Sequence, residues 1–288
     1  MATAATDPLA SFRLDGKVAC ITGGGAGIGA ATARLMAAAG ATVIILDRDA
    51  AAASATAAAI GGTCEAQVLD VGSEPAIRAV MADIADRHGK IDIVVANAGI
   101  NIRRTAAECS LEDWNAVVQI NLTGVFLCAR TAAEHMPETG GAVVSTASIM
   151  SFSGGGFYPN ISYMTTKGAL VNLTRALAVE WAGRNIRVNA VAPTWTRTGF
   201  IQPLLDTAEI AAHSNPSPRC GVRLRSRSWQ APSSSWRATL PPWSRATRSR
   251  WRAAFWPNSD PFSGRCRRAH GLQLTAERRV GQGFVPLL

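Results

Sequence analysis

Short apolar runs rich in Val and Ile recur along the first part of the chain, at residues 17–22, 41–47, 66–71, 91–99 and 142–148. Their length and β-branched content predict strands covered on both faces. The alanine-rich stretch 30–39 separates the first pair of runs and predicts a helix. Strands alternating with helices predict an α/β fold on one doubly wound parallel sheet. In such a sheet ligands bind beyond the carboxyl ends of the strands. Asp47, Asp70, Asn97 and Ser148 fall at those ends.

The first strand runs into a glycine cluster, with Gly23, Gly27, Ile28 and Gly29 ahead of the alanine-rich helix. Glycines permit a tight turn and close backbone approach, and a helix N-terminus offers free N–H groups to a pyrophosphate. Asp47 closes the next strand, about 20 residues on, where a carboxylate can accept from the ribose hydroxyls of an adenosine. That favours NAD over NADP, although Arg48 beside it softens the repulsion of a 2′-phosphate. Asp47 could instead cap the helix that starts near Asp49.

Tyr163 and Lys167 stand four apart in a helical segment, which puts a phenol and an ammonium on one face. A phenol titrates near pH 10 and needs a nearby cation to work as an acid or base at neutral pH. Lys167 is the candidate for that cation. Alone, the pair is no more than a ring beside a solvated amine; together with the turn, the strand-end acids and Ser148, it reads as proton-transfer chemistry.

With these residues in view the chain resembles the short-chain dehydrogenases/reductases from about Leu14 to about Ala212. Thr22, Gly23, Gly27, Ile28 and Gly29 match that family's cofactor turn, Asn97, Ala98 and Gly99 its structural strand end, and Asn121, Ser148, Tyr163 and Lys167 its catalytic tetrad. The resemblance implies a single Rossmann-like domain over 14–212, preceded by an extension over 1–13. It implies cofactor contacts from the glycine turn, Asp47, Asp70, Val71, Asn97, Ala98, Gly99, Tyr163, Lys167 and Thr198. It also implies hydride transfer between a nicotinamide cofactor and a secondary alcohol or ketone, and a homo-oligomer. Ser148 would hold the substrate oxygen, Tyr163 would pass the proton, Lys167 would hold the nicotinamide ribose and favour the phenolate, and Asn121 would anchor a water. Ala96 and Thr194 depart from the family's usual Asn and Gly, and Thr194 stands where the backbone would pass the nicotinamide. The loop with Arg103 and Arg104 resembles enzymes of sugar acids and polyols, and an arginine there could hold a carboxylate. A 3-oxoacyl thioester is the alternative substrate.

Charge changes the picture only at the far end. The net charge of +9 arises beyond residue 212, where 14 Arg, no Lys and two acids replace the earlier 15 Lys and Arg against 18 acids. Trp229, Trp236, Trp243, Trp251 and Trp256 lie in this tail among Ser, Pro and Arg, without helical or strand periodicity. An arginine- and aromatic-rich segment could bind single-stranded nucleic acid. The genetic code offers another account. Joining the third base of each codon to the first two of the next makes Phe255-Trp256-Pro257 read Leu-Ala, and residues 228–257 then permit an apolar helix followed by Gly-Gly-Phe-Leu-Ala. The tail, 213–288, therefore reads as out of frame from between Ala212 and Pro216, with no nucleic-acid partner. It is expected to be disordered or poorly packed, and the chain as written weak or inactive.

The remaining features are plain. No apolar signal core opens the chain and no bilayer-spanning stretch is evident, which predicts a cytosolic protein with no membrane partner. Six scattered cysteines have no metal spacing, so no metal is expected, and Cys20 and Cys128 sit in apolar runs as core residues.

Overall fold

The structure, a computed structural model, describes residues 10–153, 158–202 and 206. Strands β1 (Val18–Thr22), β2 (Thr42–Asp47), β3 (Cys64–Val68), β4 (Ile93–Ala96), β5 (Gly141–Thr146) and β6 (Ile186–Val191) form one sheet in the order β3-β2-β1-β4-β5-β6. All neighbours pair in parallel, with β1 between β2 and β4 at the centre. The strand order reverses beside β1, which opens a crevice at the carboxyl ends of β1 and β4. The doubly wound α/β expectation holds.

Helices α1 (Gly27–Ala38), α2 (Ala50–Ile60), α3 (Glu74–His88), α4 (Leu111–Val118), α5 (Gly124–Glu134) and α6 (Ile161–Glu180) flank the sheet. Local chemistry starts several of them. The side chains of Asp49, Ser73 and Ser110 accept from the N–H groups of Ala52, Ala76 and Asp113, capping α2, α3 and α4. Gly89 ends α3 in the left-handed conformation. The sheet is apolar on both faces: every residue of β1 is buried, as are Val43 to Leu46 in β2. Cys20 and Cys128 lie in this core, and burial pushes both thiols up to about 12.

Two expectations need correction. The first helix begins at Gly27, inside the glycine cluster, because the turn itself supplies the opening of α1. The chain does contain a helical run long and apolar enough to cross a membrane, from Leu111 to Glu134. Polar residues such as Asn115 and Asn121 hide it in the sequence, and 56% of its most apolar window is buried inside the fold. It serves as a sheet-covering helix: Val117, Val125, Leu127, Cys128 and Ala132 are all buried. Strand β6 was not anticipated, although Ile186, Arg187, Val188 and Asn189 alternate buried and exposed as an edge strand should. The expectations for the tail at 213–288 and for residues 1–9 lie outside the described residues.

Candidate active site

The carboxyl ends of the strands open into a cavity of about 460 Å³. At one end lie Gly23, Gly27, Ile28, Asp47, Asp70 and Val71, at the other lie Ser148, Tyr158, Tyr163, Lys167, Trp195 and Phe200, and Asn97, Ala98 and Gly99 lie between them, a β-carbon at Gly99 falling 3.8 Å from Lys167 Nζ. Each of the proposed cofactor residues except Gly29 lines this cavity, Thr198 included. Gly29 acts behind the wall, as a spacer.

Turn geometry explains the glycines. Gly23 has φ of +62°, and a β-carbon there would meet the Cα of Ala98 at 2.8 Å. A β-carbon at Gly29 would sit 2.1 Å from the Gly23 carbonyl oxygen. Thr22 Oγ1 accepts from the N–H groups of Asn97 (3.0 Å) and Ala98 (3.1 Å), and Asn97 Nδ2 donates to the Gly23 carbonyl (3.0 Å). Thr146 Oγ1 in turn donates to Asn97 Oδ1 at 3.2 Å, so one asparagine ties the ends of β1, β4 and β5 together. Helix α1 opens with no capping side chain and no acid in its first turn. Its N–H groups therefore face the cavity without competition, which fits a pyrophosphate.

Asp47 accepts from the N–H groups of Gly25 (3.0 Å) and Asp49 (3.1 Å). Asp49 caps α2, so Asp47 is free of that duty and its carboxylate edges the cavity. Asp70 accepts from Gly72 N–H at 2.8 Å and stands nearby. This donor and acceptor set fits a dinucleotide with its adenosine near Asp47 and Asp70.

Of the proposed tetrad, Ser148, Tyr163 and Lys167 line the cavity, whereas Asn121 lies behind Gly99 and does not. Asn121 is fully buried in a π-helical turn, Gln119–Thr123, between α4 and α5. The wider turn swings its amide towards the strand ends. Its Nδ2 donates to the Ile100 carbonyl and its Oδ1 accepts from Ile100 N–H, both at 2.8 Å. Its side chain therefore pins the loop after β4, a structural task beyond the anticipated water site. Ser148 caps a short 3₁₀ turn (Ile149–Phe152) and accepts from Met150 N–H at 3.1 Å. It does this while facing the phenol of Tyr163.

The electrostatics differ from expectation. Burial raises the Tyr163 phenol above its ordinary value; the Ser148 hydroxyl and the Arg103 guanidinium pull it back. Lys167 is not among the groups that lower it. Its ammonium lies 5.6 Å from the ring centroid and donates to the Thr146 carbonyl at 2.5 Å. Burial, with 3% of the residue exposed, pushes Lys167 down to about 8.

That shift has a measurable consequence for the cofactor-free chain. An unfolded lysine titrates near 10.5, so between about pH 8 and 10.5 the unfolded state holds the extra proton. The Lys167 contribution to stability then rises with pH through that window, by at most about 3 kcal/mol. The penalty of the buried charge is present in full below it. Tyr163, raised by burial, holds its proton longer when folded and opposes the rise above about pH 10. Cys20 and Cys128, whose thiols burial also raises, lower the stability of both chains above about pH 9, so urea midpoints measured from pH 7 to 10 should rise more, or fall less, for the natural chain than for Lys167→Met. Equal slopes would show that Lys167 is not the source.

Arg103 and Arg104 part company. Arg103 lines the cavity with its guanidinium 5.6 Å from the Tyr158 ring centroid. Arg104 pairs with Asp113 at 3.3 Å and does not line that cavity. Neighbours one apart in an extended loop point opposite ways. Sequence reasoning also missed Tyr158, Trp195 and Phe200. Tyr158 and Trp195 meet edge to face at 6.1 Å, and Phe200 lies 6.0 Å from Tyr163. One signal could have flagged Tyr158: the chain has two tyrosines, and both line the cavity. Thr194 lines the cavity too, beside Pro193, whose carbonyl accepts from Ile149 N–H at 3.1 Å.

Comparison with known proteins agrees with this arrangement. The family profile described as short chain dehydrogenase matches residues 17–209. A meso-2,3-butanediol dehydrogenase of Serratia marcescens is 36% identical over 190 residues, covering 66% of this chain and 75% of that protein. A 3-oxoacyl-acyl-carrier-protein reductase of Thermotoga maritima is 36% identical over 207 residues, covering 70% and 83%. A solved structure from Beutenbergia cavernae, described as a candidate NAD(P)-dependent gluconate 5-dehydrogenase with NADP at low occupancy, superposes with a TM-score of 0.69 at 36% identity, covering 75% of this chain and 87% of that one. Sheet order, glycine turn and sequence match together place the chain in the short-chain dehydrogenase family of oxidoreductases.

Proposed function

We propose that this chain interconverts a secondary alcohol and its ketone on a sugar acid or polyol, with NAD preferred to NADP. The observation that carries the reading is the convergence of Ser148, Tyr163 and Lys167 at one end of a cavity whose other end offers an uncapped helix start and a strand-end carboxylate. When bound, the dinucleotide supplies or takes up the hydride. The chain's own groups do the rest. Ser148 donates to the substrate oxygen, and the Tyr163 hydroxyl passes a proton to it or takes one from it. Lys167 holds the nicotinamide ribose, and Asn121 keeps the loop at Ile100 in register beneath it. Ala98, Gly99 and Thr198 bound the cofactor's path, and Asp47 accepts from the ribose hydroxyls.

NAD is favoured because a 2′-phosphate would approach the Asp47 carboxylate. Arg48 lines the same end and weakens that discrimination, in keeping with NADP in the Beutenbergia neighbour. A homo-oligomer and a cytosolic location belong to the same proposal. So does the division into residues 1–13, 14–212 and an out-of-frame tail at 213–288. The test is cofactor-linked turnover of the full chain on keto-sugars, sugar acids, alditols and 3-oxoacyl thioesters, with both dinucleotides. NAD-linked turnover on the sugar panel is expected, weak in this chain and stronger in one whose tail is rebuilt in the shifted frame. Turnover confined to the thioesters with NADPH would replace the proposed substrate class, as the Thermotoga relative illustrates.

A further inference from the structure

We infer that Ser151, which does not line the substrate cavity, is a positioning residue that fixes Ser148 against the helix carrying Tyr163 and Lys167. It keeps the substrate-holding hydroxyl and the phenol in register. The inference rests on the dehydrogenase reading above and deepens it.

One oxygen makes both contacts. Ser151 Oγ accepts from the Ser148 N–H at 3.3 Å and donates to the Lys167 carbonyl at 2.7 Å. The first bond belongs to the 3₁₀ turn, where Ser151 completes a reciprocal cap with Ser148. The second has no part in that turn. Lys167 lies inside α6, so helical geometry already gives its carbonyl one donor, and the serine takes the remaining lone pair. A hydroxyl on such a carbonyl satisfies no orphaned group at a helix end; it joins two elements. The turn passes close over the helix here, since a β-carbon at Gly168 would lie 3.8 Å from the Ser151 carbonyl oxygen.

The elements joined are those that carry the chemistry. Burial raises the Tyr163 phenol, and the Ser148 hydroxyl is the first of the groups that draw it back. Tyr163 and Lys167 are about one turn apart in α6, so a bond to the Lys167 backbone sets the height of both relative to Ser148. The Lys167 ammonium is directed at the Thr146 carbonyl at the end of β5. Helix α6 is therefore fixed to this strand end twice, by the Lys167 side chain at Thr146 and by the Lys167 carbonyl at Ser151. Without the second bond, Ser148 and Tyr163 are free to drift apart.

The experiment reads Tyr163 directly in the cofactor-free full chain. Two tyrosines are present, so tyrosinate absorbance after stopped-flow jumps to alkaline pH, minus the matching Tyr163→Phe curve, gives the Tyr163 ionisation before alkaline unfolding sets in. Ser151→Ala should move that ionisation to higher pH, because a loosened Ser148 no longer draws the phenol down. Tyr158, Arg103 and Lys167, the other titratable groups beside the phenol, are untouched by the substitution. Ser151→Cys, which fills the same space with a weak donor, should follow Ser151→Ala, and it carries the comparison if the smaller residue unfolds the chain. Ser151→Thr keeps the hydroxyl and should restore the natural curve. Ser110→Ala removes an ordinary helix cap and should leave the curve in place. In turnover, Ser151→Ala should lower kcat about tenfold or more with NADH affinity within about twofold. In a Ser148→Ala background it should cost less than about twofold, as expected of a residue that acts through another. A curve that moves with neither Ser151→Ala nor Ser151→Cys, or an equal loss of kcat with and without Ser148, would overturn the proposal and leave Ser151 a turn cap. The dehydrogenase reading fails in a different way: no NAD-linked turnover in any of these chains, with the Tyr163 curve still moved by Ser151→Ala.

Discussion

Replacing Tyr163 by Phe is expected to lower turnover by roughly 10²- to 10⁴-fold while leaving dinucleotide affinity within about twofold. The substitution removes one oxygen. The ring keeps its tilted contact with Phe200 at 6.0 Å, and the helix keeps its packing against β6. Fluorescence titration with NADH separates the two effects, because in the proposed reading cofactor binding draws chiefly on the glycine turn, Asp47 and Lys167, whereas proton transfer draws on the phenol. Ser148→Ala should lower turnover less, since Tyr163 remains to protonate the substrate oxygen. Loss of cofactor affinity in step with turnover would make the phenol a packing group. Undiminished turnover would remove it from the chemistry.

The phenol also shows what sequence can and cannot carry. Helical spacing placed Tyr163 and Lys167 on one face, and the structure brings both to the same cavity. Spacing could not say where the ammonium points. It donates to the Thr146 carbonyl, 21 residues away in sequence, while burial raises the phenol and the Ser148 hydroxyl, with a smaller pull from Arg103, draws it back. The glycine turn was legible because its requirement is local: positive φ at Gly23 and no room for a β-carbon at Gly29. Asn121 stood out in the sequence through the family pattern but not as the centre of a π turn, which depends on how α4 and α5 meet over the sheet. Tyr158, Trp195 and Phe200 belong to no motif, and only the fold gathers them. Strand β6 was missed because Arg187 and Asn189 interrupt its apolar residues, the pattern of an edge strand, whereas the central strands announce themselves by unbroken runs.

That edge leads to the second large effect. Among the described residues β6 pairs with β5 on one side only, so its outer row of N–H and C=O groups is open to a further strand. The shifted reading of residues 228–257 permits an apolar helix and a Gly-Gly-Phe-Leu-Ala strand, the parts a parallel sheet needs to cover a face and extend an edge. A chain rebuilt in that frame from between Ala212 and Pro216 is therefore expected to be more stable than this one by several kcal/mol, against a typical total of roughly 5 to 15. For a domain of this size that corresponds to a rise in Tm of about 10 °C. Turnover should rise with it, because a wall of the substrate cavity would be restored. Scanning calorimetry and assay of both chains side by side provide the measurement, and the coding DNA across Ala212 to Pro216 provides the independent check. Equal Tm and equal turnover would show that the arginine-rich sequence does the same structural work. Salt-sensitive retention of this chain on single-stranded nucleic acid, absent from the rebuilt one, would instead assign the 14 arginines beyond residue 212 a binding role. Neither outcome touches the chemistry proposed for Tyr163, whose helix forms within the described residues; the rebuilt chain changes how well the site is enclosed, and Tyr163→Phe in both chains separates enclosure from chemistry.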